Sequence, residues 1–350
     1  MEASTIIYCL GTLFILCSLI KFLKIDHWIV RFFDFPQLQF LVLGAGVIAC
    51  SIIWLDFNSY YNLGFIIAVA GVAVYQSKLI LPYTFMAKKE IKNANNNQKC
   101  DLKVLVSNVY QPNTDSSKLL ELIQKENPDV LLLVETNSRW QEDLKELEST
   151  FAYSLKKPLD NMYGLLFYSK LALRDAEIRY LVKNDIPSVK TKIVLKSGRE
   201  IQFYGVHPEP PSPTENYRST ERDAELYLLA KEINSDPSVP TVVAGDLNDV
   251  AWSKSTRIFQ KLSGLLDPRK GRSFYNTFHA RYPIKWPLDH FFVSDHFHLV
   301  SMKVHENIGS DHFPISIAIN HVDVSLNEEI ESTDAEEREE VHRQIDKSKT

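Results

Sequence analysis

The stretch Thr241-Val242-Val243-Ala244-Gly245-Asp246-Leu247-Asn248 carries a short β-prone run into an abrupt acidic end. A run of this kind, closed by Gly and a turn residue, predicts a buried strand with a carboxylate at its mouth. The same pattern recurs along the chain. The run over 102–107 ends in Asn108, that over 130–134 in Glu135, and that over 201–206 in His207. Pro287-Leu288 leads into Asp289, which opens a strand, and Gly309-Ser310 leads into Asp311-His312 ahead of a run at 315–319. Singly, each has a plainer reading: Asn108, Asn248 and Asp246 as turn residues, Glu135 and His207 as loop groups, Asp311-His312 as a surface pair. Together, at matching strand ends, they converge where α/β proteins place ligand sites.

Outward from these runs, further strand patterns fall at 164–168, 189–195 and 291–294, with helical periodicity at 117–126, 139–148, 220–233 and 254–262. Many strands with intervening helices suggest two packed sheets with helices outside, and a doubly wound sheet is the competitor. The turn Lys196-Ser197-Gly198-Arg199 joins two strand patterns as a hairpin, which requires antiparallel pairing. The expected fold is therefore α+β: a four-layer α/β/β/α sandwich of two mixed sheets over 101–321.

The N-terminal region, 1–86, is a different material. Apolar runs at about 3–20, 38–55 and 60–77 are long enough to span a bilayer, which takes roughly 17–25 residues. A signal peptide is a poor reading of the first, because Met1-Glu2-Ala3-Ser4-Thr5 has no basic residue. Three transmembrane helices make this an integral membrane protein whose partner is membrane lipid. Lys21, Lys24 and Arg31 in the first connection, and Lys78, Lys88, Lys89 and Lys92 after the third run, predict a cytoplasmic domain. A periplasmic or extracellular domain is the alternative. Residues 87–100, with their Asn cluster, read as a polar linker, and 322–350 as a charged tail, disordered or a solvated helix. The cysteines show no disulfide or zinc spacing, and no obligate protein partner is evident.

In order, Val106-Ser107-Asn108-Val109, Pro128-Asp129-Val130-Leu131-Leu132-Leu133-Val134-Glu135, Gly205-Val206-His207, Val243-Ala244-Gly245-Asp246-Leu247-Asn248, Leu288-Asp289-His290 and Ser310-Asp311-His312-Phe313-Pro314 resemble the endonuclease/exonuclease/phosphatase superfamily. That group includes deoxyribonucleases, abasic-site endonucleases, bacterial sphingomyelinases and inositol polyphosphate phosphatases. The resemblance implies a metal-dependent phosphoric ester hydrolase using Mg²⁺ or Mn²⁺, hard cations that prefer oxygen ligands. It makes Glu135, Asn108 and Asp311 the metal residues. His312 becomes general base or water-orienting group, paired with Asp289, and Asp246 positions the water. Asn248 and His207 donate to the phosphoryl oxygens, and His207 is also placed to protonate the leaving group. Two departures stand out: Val134 precedes the metal Glu where Gln is common, and Val109-Tyr110 replace an acidic residue of the abasic-site branch.

The phosphoester substrate is less legible. The chain carries a net charge of −5, unlike a dedicated nucleic-acid binder. Yet Lys254, Arg257, Lys261, Arg269, Lys270, Arg272, Arg281 and Lys285 fall in one stretch with interleaved aromatics, a potential rim for single strands. Asn113 and Arg222 are further candidates for the cleft wall, with a turn residue and a solvated helix charge as their plainer readings. A nuclease or phosphodiesterase is the leading expectation. A lipid-headgroup phosphodiesterase or phosphatase is the alternative, and a non-catalytic phosphate-binding membrane module the second.

Overall fold

The computed structural model describes residues 2–95, 100–323, 327–328 and 330–349. Three helices, α1 (Glu2–Leu19), α3 (Gln37–Trp54) and α4 (Tyr60–Ile80), are long and apolar enough to cross a membrane, and the short α2 (Trp28–Phe32) lies in the first connection. Phe14 is fully buried against Gly44, and Gly11 faces Phe65, so small residues let the helices approach. Val42 and Ile53 point outward, as a lipid-facing surface requires.

The chain then lays down β1 (Leu102–Asn108), α5 (Ser117–Glu126), β2 (Val130–Val134), α6 (Ser138–Asp143), β3 (Tyr153–Lys157), β4 (Leu165–Ser169), β5 (Leu173–Arg179), β6 (Ser188–Val194) and β7 (Glu200–Val206). It continues through α7 (Thr220–Asn234), β8 (Thr241–Asp246), α8 (Lys254–Ser263), β9 (Asp289–Val293), β10 (Phe297–Val304), β11 (Ile315–His321) and α9 (Ala335–Lys347). The strands form two mixed sheets, ordered β10-β11-β1-β2-β4-β3 and β5-β6-β7-β8-β9. β1 pairs parallel with β2 and β7 with β8, while the other neighbours are antiparallel. The hairpin expected between β6 and β7 is present, closed by Gly198.

Strand alternation builds the layers. Val104, Val106, Leu132 and Phe167 face Val189, Phe203, Val242, Ala244 and Phe291 across the inter-sheet core. Their outward neighbours Leu105, Leu131 and Leu133 meet Leu119, Ile123 and Trp140 of α5 and α6. On the second sheet Tyr204, Val243 and Phe292 meet α7, α8 and α9 through Leu229, Phe259, Val341 and Ile345. The result is the expected four-layer sandwich. Because both faces are covered, central strands read as continuous apolar runs.

Three strands, β3, β5 and β10, escaped the sequence reading, and all three are sheet edges. Edge strands carry charge to resist unwanted pairing, so Leu173-Arg174-Asp175-Ala176-Glu177 shows no clean alternation.

Two expectations are corrected. The described part of the linker, 87–95, is not free: Ile91 is fully buried in the inter-sheet core, and Glu90 accepts from the Asp267 N–H and Gln260 Nε2, each at 2.6 Å. The tail is not disordered over 335–347: α9 starts with an Asp334–Glu337 capping box and buries Val341 and Ile345 against α7. Its Glu340 pairs with Arg343 and Lys254. Burial of so few apolar residues is hidden by the charged ones around them. Residues 96–99, 324–326, 329 and 350 lie outside the described residues.

Candidate active site

The topology brings the strand ends together. β1 and β2 run parallel, so Asn108 and Glu135 emerge side by side; β11 runs against β1 and delivers Asp311-His312 to the same edge. In the second sheet Asp246 lies directly opposite Asp289, and β7, parallel to β8, ends in His207. Both sheets thus place their polar termini at one end of the sandwich.

Local backbone fixes the aim of two groups. Gly245 has φ +147°, and a Cβ there would overlap the Val206 carbonyl oxygen, so only glycine fits before Asp246. Glu135 and Asn248 adopt left-handed φ of 59° and 52°, turning their side chains sharply off the strand ends.

The contacts form one network. Asn108 Nδ2 donates to Glu135 Oε1 at 2.7 Å and to Asp246 Oδ2 at 3.1 Å. Its Oδ1 accepts from the Tyr110 N–H at 2.9 Å. His312 Nδ1 meets Asp289 Oδ2 at 2.7 Å, which orients the ring so that Nε2 lies 3.4 Å from Asp246 Oδ2. His207 Nε2 is 4.0 Å from that same oxygen. Asp246 therefore sits at the centre, between the amide corner and two imidazoles.

Asp311 stands beside this network, joined to it by a long contact from Ser310 Oγ to its Oδ1 at 3.5 Å. Its carbonyl accepts from Ala280 N–H at 2.7 Å, and its charge raises the pKa of both Glu135 and His312. Asn248 is tied down: its N–H donates to Asp246 Oδ1 at 2.9 Å and its Nδ2 to the Pro208 carbonyl at 3.0 Å. Arg222, expected as a cleft or solvated charge, is neither. It is buried and paired with Asp223 and Asp249 at 2.9 and 3.1 Å, and it holds the Asn248 carbonyl from behind at 3.0 Å. Asn113 donates to the Ile308 carbonyl at 3.2 Å, a loop-pinning role.

Sequence reasoning missed several supports. Ser310 Oγ donates to the Asn108 carbonyl at 2.8 Å and accepts from the His312 N–H at 3.0 Å, stitching β1 to the histidine loop. It adjoins Asp311-His312, so proximity could have flagged it. Thr277 Oγ1 accepts from the Asp289 N–H at 3.1 Å; Phe278 packs on His312 at 4.8 Å, and Tyr163 on His207 at 5.4 Å. Those come from distant loops and leave no local signal.

The electrostatics are dominated by burial of like charges. Burial lifts Glu135 to about 7 against the bond from Asn108, and it raises Asp246 likewise. Burial pushes His312 down, but the Asp289 and Asp246 carboxylates outweigh it and lift the ring to about 10. At His207 burial outweighs the attraction of the more distant Asp246 and holds the ring at about 4, and its Nδ1 has no hydrogen-bond partner among the described residues. Four carboxylates thus face one imidazolium. This excess of buried negative oxygen is what a hard divalent cation neutralises, and the donor set fits one. Asp246, Asp289 and His312 also present ligand atoms within 4.8 Å of one another. Two of these, however, are already spent on the His312–Asp289 bond. The oxygen corner of Glu135, Asn108 and Asp246 suits a hard cation better.

The basic stretch does not form a rim. Arg269 is buried on Asp267 at 2.8 Å, Lys270 pairs with Glu90, Arg272 donates to the Ile91 carbonyl, and Lys254 and Lys261 pair with Glu340 and Glu337. These cations tie α8 and its following loop to the strap at 90–93 and to α9. Arg257 donates to the Ser253 carbonyl at 3.3 Å, and Arg281 and Lys285 stay near the cleft.

A two-sheet sandwich gathering carboxylates and histidines at one shared end is the architecture of phosphoester hydrolases. The chain belongs to the Endonuclease/Exonuclease/phosphatase family, whose model matches residues 94–312. Among solved structures it resembles zebrafish (D. rerio) TDP2 complexed with a single-strand DNA product, at 16% identity and TM-score 0.52, covering 63% of this chain and 98% of that one. It also resembles the family member from Bacteroides vulgatus (17% identity, TM-score 0.52, 64% and 100% covered) and the human Nocturnin catalytic domain with bound sulfate (17%, 0.50, 65% and 96%). At these identities the likeness establishes the fold. No curated protein matches the chain.

Proposed function

We propose that this protein is a membrane-anchored, divalent-metal-dependent phosphoesterase that cleaves its substrate by direct attack of water. The observation that carries this reading is the Asp289–His312–Asp246 series, at 2.7 and 3.4 Å, lying beside the Asn108–Glu135 pair. Glu135, with Asp246 and Asn108, would hold Mg²⁺ or Mn²⁺, and Asp311 adds negative charge at the mouth. Ligation by Asn108 requires its amide to turn over, because Nδ2 now faces the carboxylates. A bound cation would supply Lewis-acid polarisation of a phosphoryl oxygen.

The protein's own groups do the rest. Asp289 fixes the His312 tautomer and favours its charge, so Nε2 and Asp246 together orient the attacking water. Asp246 accepts the water's proton. His207, held neutral, offers one N–H to a non-bridging oxygen, and the Asn248 side chain shapes the turn beside it. The leaving alkoxide departs opposite the water, so no covalent enzyme intermediate forms. The basic flanks of the spans support a cytoplasmic rather than a periplasmic or extracellular domain.

The test is turnover of bis-p-nitrophenyl phosphate by the full chain in detergent, with Mg²⁺ or Mn²⁺ and then with EDTA. EDTA is expected to abolish turnover, and Glu135→Gln and His312→Ala to reduce it about 100-fold or more. Undiminished rates in either variant would overturn the assignment.

A further inference from the structure

The membrane spans are planted on the active-site end of the second sheet. Leu79 and Ile80, at the end of α4, and Tyr83 in the turn after it share a buried cluster with Val250, Ala251, Trp252 and Leu288. The first group of domain residues follows Asp246-Leu247-Asn248 and the last precedes Asp289. Tyr83 donates to the Ala251 carbonyl at 2.7 Å, and Trp252 Nε1 to the Asp34 carbonyl at 2.7 Å. The path from bilayer to site is short: Phe35 meets Trp286 at 5.7 Å, Phe278 belongs to the same cluster, and Phe278 packs on His312.

Between Phe278 and Trp286 the chain makes a loop that the catalytic network does not use. Its tip exposes Tyr282 (61%) and Ile284 (47%), and Arg281 is exposed beside them. Arg281 lies over the Tyr110 ring at 4.8 Å and Lys285 over Phe313 at 5.7 Å, so both lean across the cleft mouth. Neither has a carboxylate partner among the described residues. Exposed Phe32 stacks on Phe35 at 6.4 Å and so adjoins the same junction. An aromatic and a branched aliphatic residue flanked by two cations is the composition that seats a segment in an anionic membrane interface.

We propose that the loop at 279–285 is a second membrane contact, which inserts Tyr282 and Ile284 into the headgroup region and seats the cleft mouth on the bilayer. The phosphoester reaching the site is then one carried by a lipid headgroup of the same membrane. This rests on the proposed hydrolase and on α1, α3 and α4 being membrane spans. It agrees with the diversion of Lys254, Lys261, Arg269 and Lys270 into structural pairs, which takes four cations of this stretch away from a polynucleotide.

The experiment uses the full chain in nanodiscs of anionic phospholipid, with a photoreactive benzoylphenylalanine replacing Tyr282, Ile284, Val42 or Tyr153, one at a time. Val42 lies on the outer face of α3; Tyr153 starts β3 at the end of the sandwich away from the site. Irradiation should give lipid adducts at 282 and 284 as readily as at 42, and none at 153. Adducts at 42 alone would overturn the loop contact while leaving the spans intact. Their absence at 42 would overturn the spans as well. In parallel, release of headgroup or phosphate from the same discs is expected, with no cleavage of a free oligonucleotide. Cleavage of the oligonucleotide with intact lipid would overturn the substrate class, and inactivity on both and on bis-p-nitrophenyl phosphate would instead count against the hydrolase itself.

Discussion

The burden on single residues is clearest at His312. Its ring reaches Asp246 only because Asp289 takes Nδ1 at 2.7 Å, so Asp289→Asn should leave the fold intact while disturbing tautomer and charge. The expected result is a fall in kcat of about 10²–10⁴-fold with little change in KM, read on bis-p-nitrophenyl phosphate. Gly245 is the complementary case, a residue defined by what it lacks. Its φ of +147° and the Val206 carbonyl leave no room for a methyl group. Gly245→Ala should cost about 1–3 kcal/mol, lowering Tm, and should displace Asp246 enough to remove activity. Wild-type Tm in that variant would show the strand end to be more pliable than the structure implies. The sequence named Asp289, His312 and Gly245 in their motifs, and the pairing of Asp289 with a ring 23 positions away came from the family resemblance, not from any local signal.

Among the elements, α9 departs furthest from its sequence reading. Its composition is that of a solvated tail, yet Glu340 is buried among Arg343, Gln344 and Lys254. Burial alone would raise this carboxyl, but those bonds outweigh it and hold it at about 2, against an ordinary 4.5. A folded value below the unfolded one stabilises above the unfolded value, and the benefit disappears as pH falls through the folded value. Glu340→Gln should therefore lower Tm at neutral pH, with the gap to wild type closing between about pH 4.5 and 2. A gap that stays constant across that window would show that Glu340 does not hold α9. In β10 a bulge between Leu299 and Ser301 breaks the alternation, and the edge strands β3 and β5 were hidden for a reason related to that of α9. Charged side chains protect an edge, and the same charges erase the period-2 signal by which a strand is recognised.

For the whole molecule, the coupling of spans to sandwich is the question. Arg31, buried in the first connection, faces Asp223 at 3.4 Å and Asp26 at 3.5 Å, and bonds Ser219 at 3.1 Å. Arg31→Ala removes one cation from two buried carboxylates that keep Arg222 and Lys347 as partners, a loss of about 1–3 kcal/mol. It should lower Tm and expose the 84–95 strap to limited proteolysis, whereas an unchanged digest would mean that the aromatic cluster around Trp252 suffices. The charge assigned by the sequence to membrane orientation is thus partly engaged in a tertiary pair.

Two things were determined by sequence alone: the apolar runs that become α1, α3 and α4, and the buried strands whose ends carry Asn108, Glu135, His207, Asp246, Asp289 and His312. Both are local properties, since hydropathy and side-chain period depend only on neighbours in the chain. The tertiary structure alone decided how those ends relate: that Asp246 lies at the centre, that Asn248 and Arg222 brace the site from behind, and that Asp311 stands at its edge. It also decided that Lys254, Lys261, Arg269 and Lys270 are spent on ion pairs and that the cleft opens beside the end of the apolar helix α4. A charge acquires its role from its partner, and partners far apart in sequence become neighbours only when the sheets pack.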